Sequence, residues 1–173
     1  MVLGLDLSST NTGYAILDGT SLVTYGSIIP GKNANHLEKL LYVYNEIEGI
    51  LGAYHIDYVA IEDQCYTNNV DTLKLLARIS GVVMLCAKQH DIPVSLYPAT
   101  TVKKHFTGNG QATKEDMIAK ALELYNLQRC LVDDNICDAI GIAYTHVTYQ
   151  ETPTPVHKKK KKKLRRSKPT KGG

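Results

Sequence analysis

The stretch MVLGLDLSSTNTGYAILDG, residues 1–19, places a carboxylate, Asp6, at the end of an apolar run and follows it with a polar Ser/Thr/Asn turn. Residues 2–7 have the length and composition of a buried strand, closed by turn-forming residues. Residues 13–18 and 22–29 read as two further strands joined at Gly19-Thr20, so the chain is expected to open as an antiparallel meander. The buried acid poses the functional question, because an unpaired carboxylate in an apolar setting costs several kcal/mol unless a cation or donors face it.

Beyond the meander, helical and extended patterns alternate. Leu37, Leu40, Leu41, Tyr44, Ile47 and Leu51 recur at three- and four-residue spacing, which predicts a helix over 34–53. A strand is expected at 58–62, ending in Glu62, then a helix at 70–90 and a strand at 93–97. A short helix near 99–105 precedes a loop at 107–112. Thr113, with Asp116 three residues on, marks an N-terminal cap for a helix over 114–126, and a last helix is expected over 133–148. Three antiparallel strands followed by alternating helices and strands imply an α/β fold: a mixed five-stranded sheet, antiparallel then parallel, with helices on both faces.

Charge divides the chain in two. Ten Lys or Arg and one Glu lie in 151–173, so that segment carries +9 and residues 1–150 carry −6 of the total +3. The expected organisation is one domain over 1–150 and a basic tail over 151–173 that is disordered when unbound. A basic arm on an acidic body suits a polyanionic partner, and Lys158, Lys159, Lys160, Arg165 and Arg166 are its candidate phosphate contacts. A nuclear-localisation signal is the competing reading of that run, if the source is eukaryotic or a virus of eukaryotes.

No apolar run of 18 residues and no basic-then-apolar leader is present, so no membrane partner and a cytoplasmic setting are expected. The four cysteines form no C-x-x-C pair and no paired histidines stand at zinc spacing, which argues against a zinc site.

The acids gather the chemistry. Asp6 and Glu62 each end an apolar strand, and DDNICDAIGIAYTH, 133–146, puts Asp134 and Asp138 four residues apart with Asn135 between them. Capping accounts for first-turn acids such as Asp133 and Asp134. It accounts poorly for Asp138, which falls among Ile136, Ile140 and Ala143. Oxygen donors without Cys or His select hard cations, Mg²⁺ with Mn²⁺ as a substitute, and such ions serve phosphodiester hydrolysis.

With those residues in view, the chain resembles the RuvC family of Holliday junction resolvases, which have the ribonuclease H-like fold. The resemblance rests on LGLDLSSTNTGYAIL (3–17), VAIED (59–63), TVKKHFTGNGQATKEDM (101–117) and CDAIGIAYTH (137–146). It implies a Mg²⁺-dependent endonuclease that resolves four-way DNA junctions by paired symmetric nicks in a homodimer, leaving 5′-phosphate and 3′-hydroxyl ends. By the same resemblance Asp6, Glu62 and Asp138 are metal ligands. The family's fourth ligand, Asp or His, falls on Asn135; Asp134 is the other candidate for that role. Lys103 and Lys114 match positions near the scissile phosphate, with Lys114 counted as catalytic and Lys104 as a further DNA contact. Tyr66 is a candidate to stack on an unpaired base.

Three rival readings accompany this one. GLDLSSTNTG also resembles the phosphate-binding hairpin of the actin, chaperone and sugar-kinase ATPases, but those need two lobes and no second such hairpin follows. A nuclease of the same fold acting on forks, flaps or RNA is the main alternative. A catalytically decayed junction-binding protein, motivated by Asn135, is the third.

Overall fold

The computed structural model describes residues 1–63 and 69–149. Its elements run β1 (Val2–Asp6), β2 (Thr12–Asp18), β3 (Ser21–Ile28), α1 (His36–Ala53), β4 (Tyr58–Asp63), α2 (Val70–Gln89), β5 (Val94–Pro98), α3 (Ala99–Thr107), α4 (Lys114–Tyr125) and α5 (Asp134–Thr148), with a 3₁₀ turn at Arg129–Leu131 before α5. Each lies within about two residues of its expected span; only the 3₁₀ turn lacks a counterpart in the sequence reading.

The strands form one sheet in the order β3-β2-β1-β4-β5. β1, β2 and β3 pair antiparallel, and β4 and β5 continue from β1 in parallel, as expected. Gly19 takes φ +54° as the first residue of the two-residue β2–β3 turn, where a positive φ is required.

Strand alternation sorts the side chains into two cores. Leu3, Leu5, Val59 and Ile61 point to the face covered by α1 and α2, packed with Val43, Ile47, Ile79 and Val83. Val2, Ala15, Leu17 and Ala60 point to the opposite face, against α3, α4 and α5. The same alternation carries Asp6 from β1 and Glu62 from β4 onto the α5 face.

α5 is drawn unusually close to the sheet. A Cβ on Gly4 would stand 2.4 Å from the Ala139 carbonyl oxygen, and one on Gly13 2.1 Å from that of Asn135. On its outer side Gly141 admits Met117 and Phe106, whose nearest atoms would lie 2.8 and 3.1 Å from an added Cβ. The apolar stripe of Ile136, Ala139, Ile140 and Ala143 is buried, so α5 is wedged between sheet and outer helices and its register is fixed.

Candidate active site

The site lies at the carboxyl ends of the parallel strands β1 and β4, where open α/β sheets commonly hold ligands. Asp6 is the last residue of β1 and is partnered across the β1–β2 ladder by Gly13. Glu62 lies in β4, one step beyond the Leu5–Ile61 pairing that joins these two strands. Asp138 enters from the second turn of α5, directly after the close contact at Gly13.

Electrostatics show that these acids share one space. Burial pushes the Asp6 carboxyl up to about 8, with the charges of Asp138 and Glu62 adding to the rise and Lys114 opposing it. Burial likewise raises Asp138 to about 6, with Lys114 and Lys103 opposing and Asp134 reinforcing. Glu62 is raised by burial and by Asp138, and lowered in part by Lys103. Glu62 also borders a mainly apolar pocket of about 300 Å³, with Leu73, Ala77 and Met84 of α2 in its wall.

Three mutually repelling carboxylates, two of them with protons held well above the usual range, form a donor set that a bound cation would neutralise. Among the described residues only the ammonium groups of Lys103 and Lys114 offset them, and Lys114 is itself paired elsewhere. All the donors are hard oxygens, so the set fits a hard divalent ion of the Mg²⁺ or Mn²⁺ kind.

Lys114, the first residue of α4, forms an ion pair with Asp134, the first residue of α5. The pair holds Asp134 below the ordinary carboxylate range and Lys114 above the ordinary ammonium range. Both side chains remain accessible, at 37% and 60% exposure, so the pair is open to exchange with an incoming anion. Thr113 caps α4 through a reciprocal capping box with Asp116, as the sequence indicates, and so fixes where Lys114 begins.

The structure thus joins Asp6, Glu62, Asp134, Asp138, Lys103 and Lys114. It does not bring in Lys104, which lies on another side of α3 beside Thr100, His105 and Gly110. Consecutive helical residues diverge by about 100°, which separates the two neighbouring lysines. Asn135 is placed chiefly by its backbone, whose carbonyl seals the contact with Gly13. Tyr66, Lys158, Lys159, Lys160, Arg165 and Arg166 lie outside the described residues.

The anchoring of α5 is not visible in the sequence pattern. Asp133 is its N-cap, accepting from the Ile136 N–H at 2.8 Å, while its other oxygen accepts from Asn11 Nδ2 at 2.7 Å and from Ser27 Oγ at 3.3 Å. The turn after β1 therefore holds the helix that delivers Asp138. Asn11 Oδ1 is buried without a hydrogen-bond partner among the described residues. An Asn in a polar turn is the only signal in the sequence, and it says nothing of a residue 122 positions away.

The family model for crossover junction endodeoxyribonuclease RuvC matches residues 2–146. A crossover junction endodeoxyribonuclease RuvC of Fusobacterium nucleatum is 33% identical over 150 residues, covering 84% of this chain and 79% of the relative. One from Dictyoglomus turgidum is 28% identical over 155 residues, covering 87% and 98%. Among solved structures, Thermus thermophilus RuvC in complex with Holliday junction substrate superposes with TM-score 0.77 at 22% identity, covering 86% of this chain and 93% of that one. That likeness establishes the ribonuclease H-like fold.

Proposed function

Since the chain belongs to the RuvC family of crossover junction endodeoxyribonucleases, we propose that it is the enzyme that resolves four-way DNA junctions in its cell, nicking two symmetry-related strands as a homodimer. The observation that carries this reading is the convergence of Asp6, Glu62 and Asp138 beside Lys103 and Lys114. A divalent cation bound there, Mg²⁺ or Mn²⁺, supplies the Lewis acidity that phosphodiester hydrolysis needs.

The protein's own groups divide the remaining work. Asp6, Glu62 and Asp138 hold the cation from two strands and a helix that packing makes rigid. Asp134, ionised and at the rim, supplies the fourth carboxylate where Asn135 offers only a neutral amide. Lys114 exchanges its bond to Asp134 for a non-bridging phosphate oxygen, and Lys103 provides a second positive charge on the same side. One subunit has one such cluster whereas a junction presents two equivalent strands, so a two-fold dimer matches enzyme to substrate. The +9 segment at 151–173 supports a phosphate-binding arm that offsets the −6 charge of the body.

The test is cleavage of end-labelled four-way junctions, forks, flaps and linear duplex by the full chain with and without Mg²⁺. Paired symmetric nicks in the four-way junction alone, and only with the ion, are expected. Equal cutting of forks and flaps would replace the proposal with a broader branched-DNA nuclease, and binding without cutting would replace it with a decayed junction binder.

A further inference from the structure

On the opposite side of the sheet, where α1 packs on α2, Glu48, Cys86 and His90 place one donor atom each within 4.8 Å of one another. Among the described residues this is the one cluster of three His, Cys, Asp or Glu donors so arranged. We propose that Glu48, Cys86 and His90 form a second metal site, for a borderline-soft divalent ion of the zinc type, which fastens the end of α2 to α1.

The donors come from both helices. Cys86 lies in the last turn of α2 and His90 is its C-cap, four residues on, so the two share one face. Glu48 reaches them from α1. Cys86 Sγ donates to Glu48 Oε1 at 2.7 Å, and His90 Nε2 lies 3.2 and 3.1 Å from the two Glu48 oxygens. Tetrahedral zinc with Zn–S near 2.3 Å and Zn–N or Zn–O near 2.1 Å sets its donors about 3.3 to 3.7 Å apart. Glu48 stands inside that spacing from both Cys86 and His90, and all three donors lie within 4.8 Å of one another, so Glu48 must draw back by side-chain rotation to seat the ion and leave a fourth position for water.

Burial supports the site. Cys86 is fully buried, while His90 and Glu48 are 36% and 31% exposed, which gives a closed sulfur at the bottom and a path for the ion at the top. Against binding stands the thiol proton, since burial and the adjacent Glu48 push Cys86 up to about 12 and a bound cation must displace it. Binding replaces that proton: the S–H bond breaks, an S–metal bond forms and one proton leaves to solvent. The donor set differs in kind from the all-oxygen set at Asp6, so the two sites select different ions. The scarcity of paired Cys and His, which argues against zinc in the sequence, overlooks a ligand pair four apart on one helix completed by a glutamate from another.

The probe is Co²⁺ added to the metal-free full chain, followed by Zn²⁺ competition. The expected result is a thiolate-to-cobalt charge-transfer band with intense tetrahedral visible bands, bleached by Zn²⁺ and insensitive to Mg²⁺. The band should persist in Asp6→Asn and in Cys130→Ser, and be lost in Cys86→Ser. Should Cys86→Ser fold poorly, His90→Ala and Glu48→Gln, which alter accessible side chains, should weaken Zn²⁺ affinity at least about tenfold while leaving the circular dichroism unchanged. Absence of a thiolate band in the unmodified chain, or a band unaffected by all three variants, would overturn the proposal and leave a hydrogen-bonded cluster only.

Discussion

Gly13 and Asn135 meet backbone to backbone: a Cβ on Gly13 would stand 2.1 Å from the Asn135 carbonyl oxygen. Gly13 also faces Asp6 across the β1–β2 ladder, so the position that admits α5 lies beside the acid the helix must reach. Gly13→Ala should push α5 outward, lowering stability by about 2–4 kcal/mol and reducing cleavage more than junction binding. Gly49→Ala is the control, since nothing lies within 4 Å of its added Cβ and helix propensity should make it neutral or stabilising by up to about 1 kcal/mol. Denaturant unfolding of the two variants checks both; equal effects would contradict the close packing of α5 on Gly13.

The fold was legible in the sequence because its signals are local. Short apolar runs bounded by turn residues marked all five strands, and helical stripes, with the Thr113–Asp116 cap, marked the helices. What the sequence withheld is long-range. The docking of Asn11 on Asp133 and the pairing of Lys114 with Asp134 depend on where helices rest after folding. The acids themselves were visible one by one, since a carboxylate in an apolar strand signals itself; their convergence follows from β1 lying next to β4 and from two glycines that bring α5 close.

The buried acids give a pH prediction for the metal-free protein. Asp6 in the folded state keeps its proton up to about 8, whereas the unfolded chain releases it near the ordinary value of 3.8. Between those limits the folded state binds more protons, so stability should fall as pH rises from about 4 to 8. Saturating Mg²⁺ should restore stability, most strongly at the upper end. Asp6→Asn should stabilise the metal-free protein at pH 8 by about 1–3 kcal/mol and abolish most of the Mg²⁺ effect. Thermal melts across pH, with and without Mg²⁺, check the sign; stability rising through this window without metal would contradict it.

Substitution separates the roles proposed for Asp134 and Asn135. Asp134→Ala should slow cleavage about 10–100-fold and weaken the metal dependence. Asn135→Ala leaves its backbone contact with Gly13 in place and should change the rate by less than about threefold, as expected of a side chain outside the ligand set. Single-turnover cleavage against Mg²⁺ concentration distinguishes them. The opposite order would assign the fourth position to Asn135.

Removal of residues 151–173 takes away ten basic side chains and one acidic one. Junction affinity should drop, and the slope of log K against log salt should become shallower by about 0.9 for each phosphate the arm no longer neutralises. The cleavage rate of bound junction should stay close to that of the full chain. An unchanged salt slope would show that the arm does not bind phosphates.

Everything proposed for catalysis depends on Asp6 helping to hold a cation at the scissile strand. The decisive comparison sets the full chain against Asp6→Asn on one end-labelled four-way junction in Mg²⁺, recording binding and single-turnover cleavage together. Unchanged binding and cleavage at least about 100-fold slower in the variant are expected. Cleavage by Asp6→Asn at close to the unmodified rate would contradict a metal-holding role for this acid.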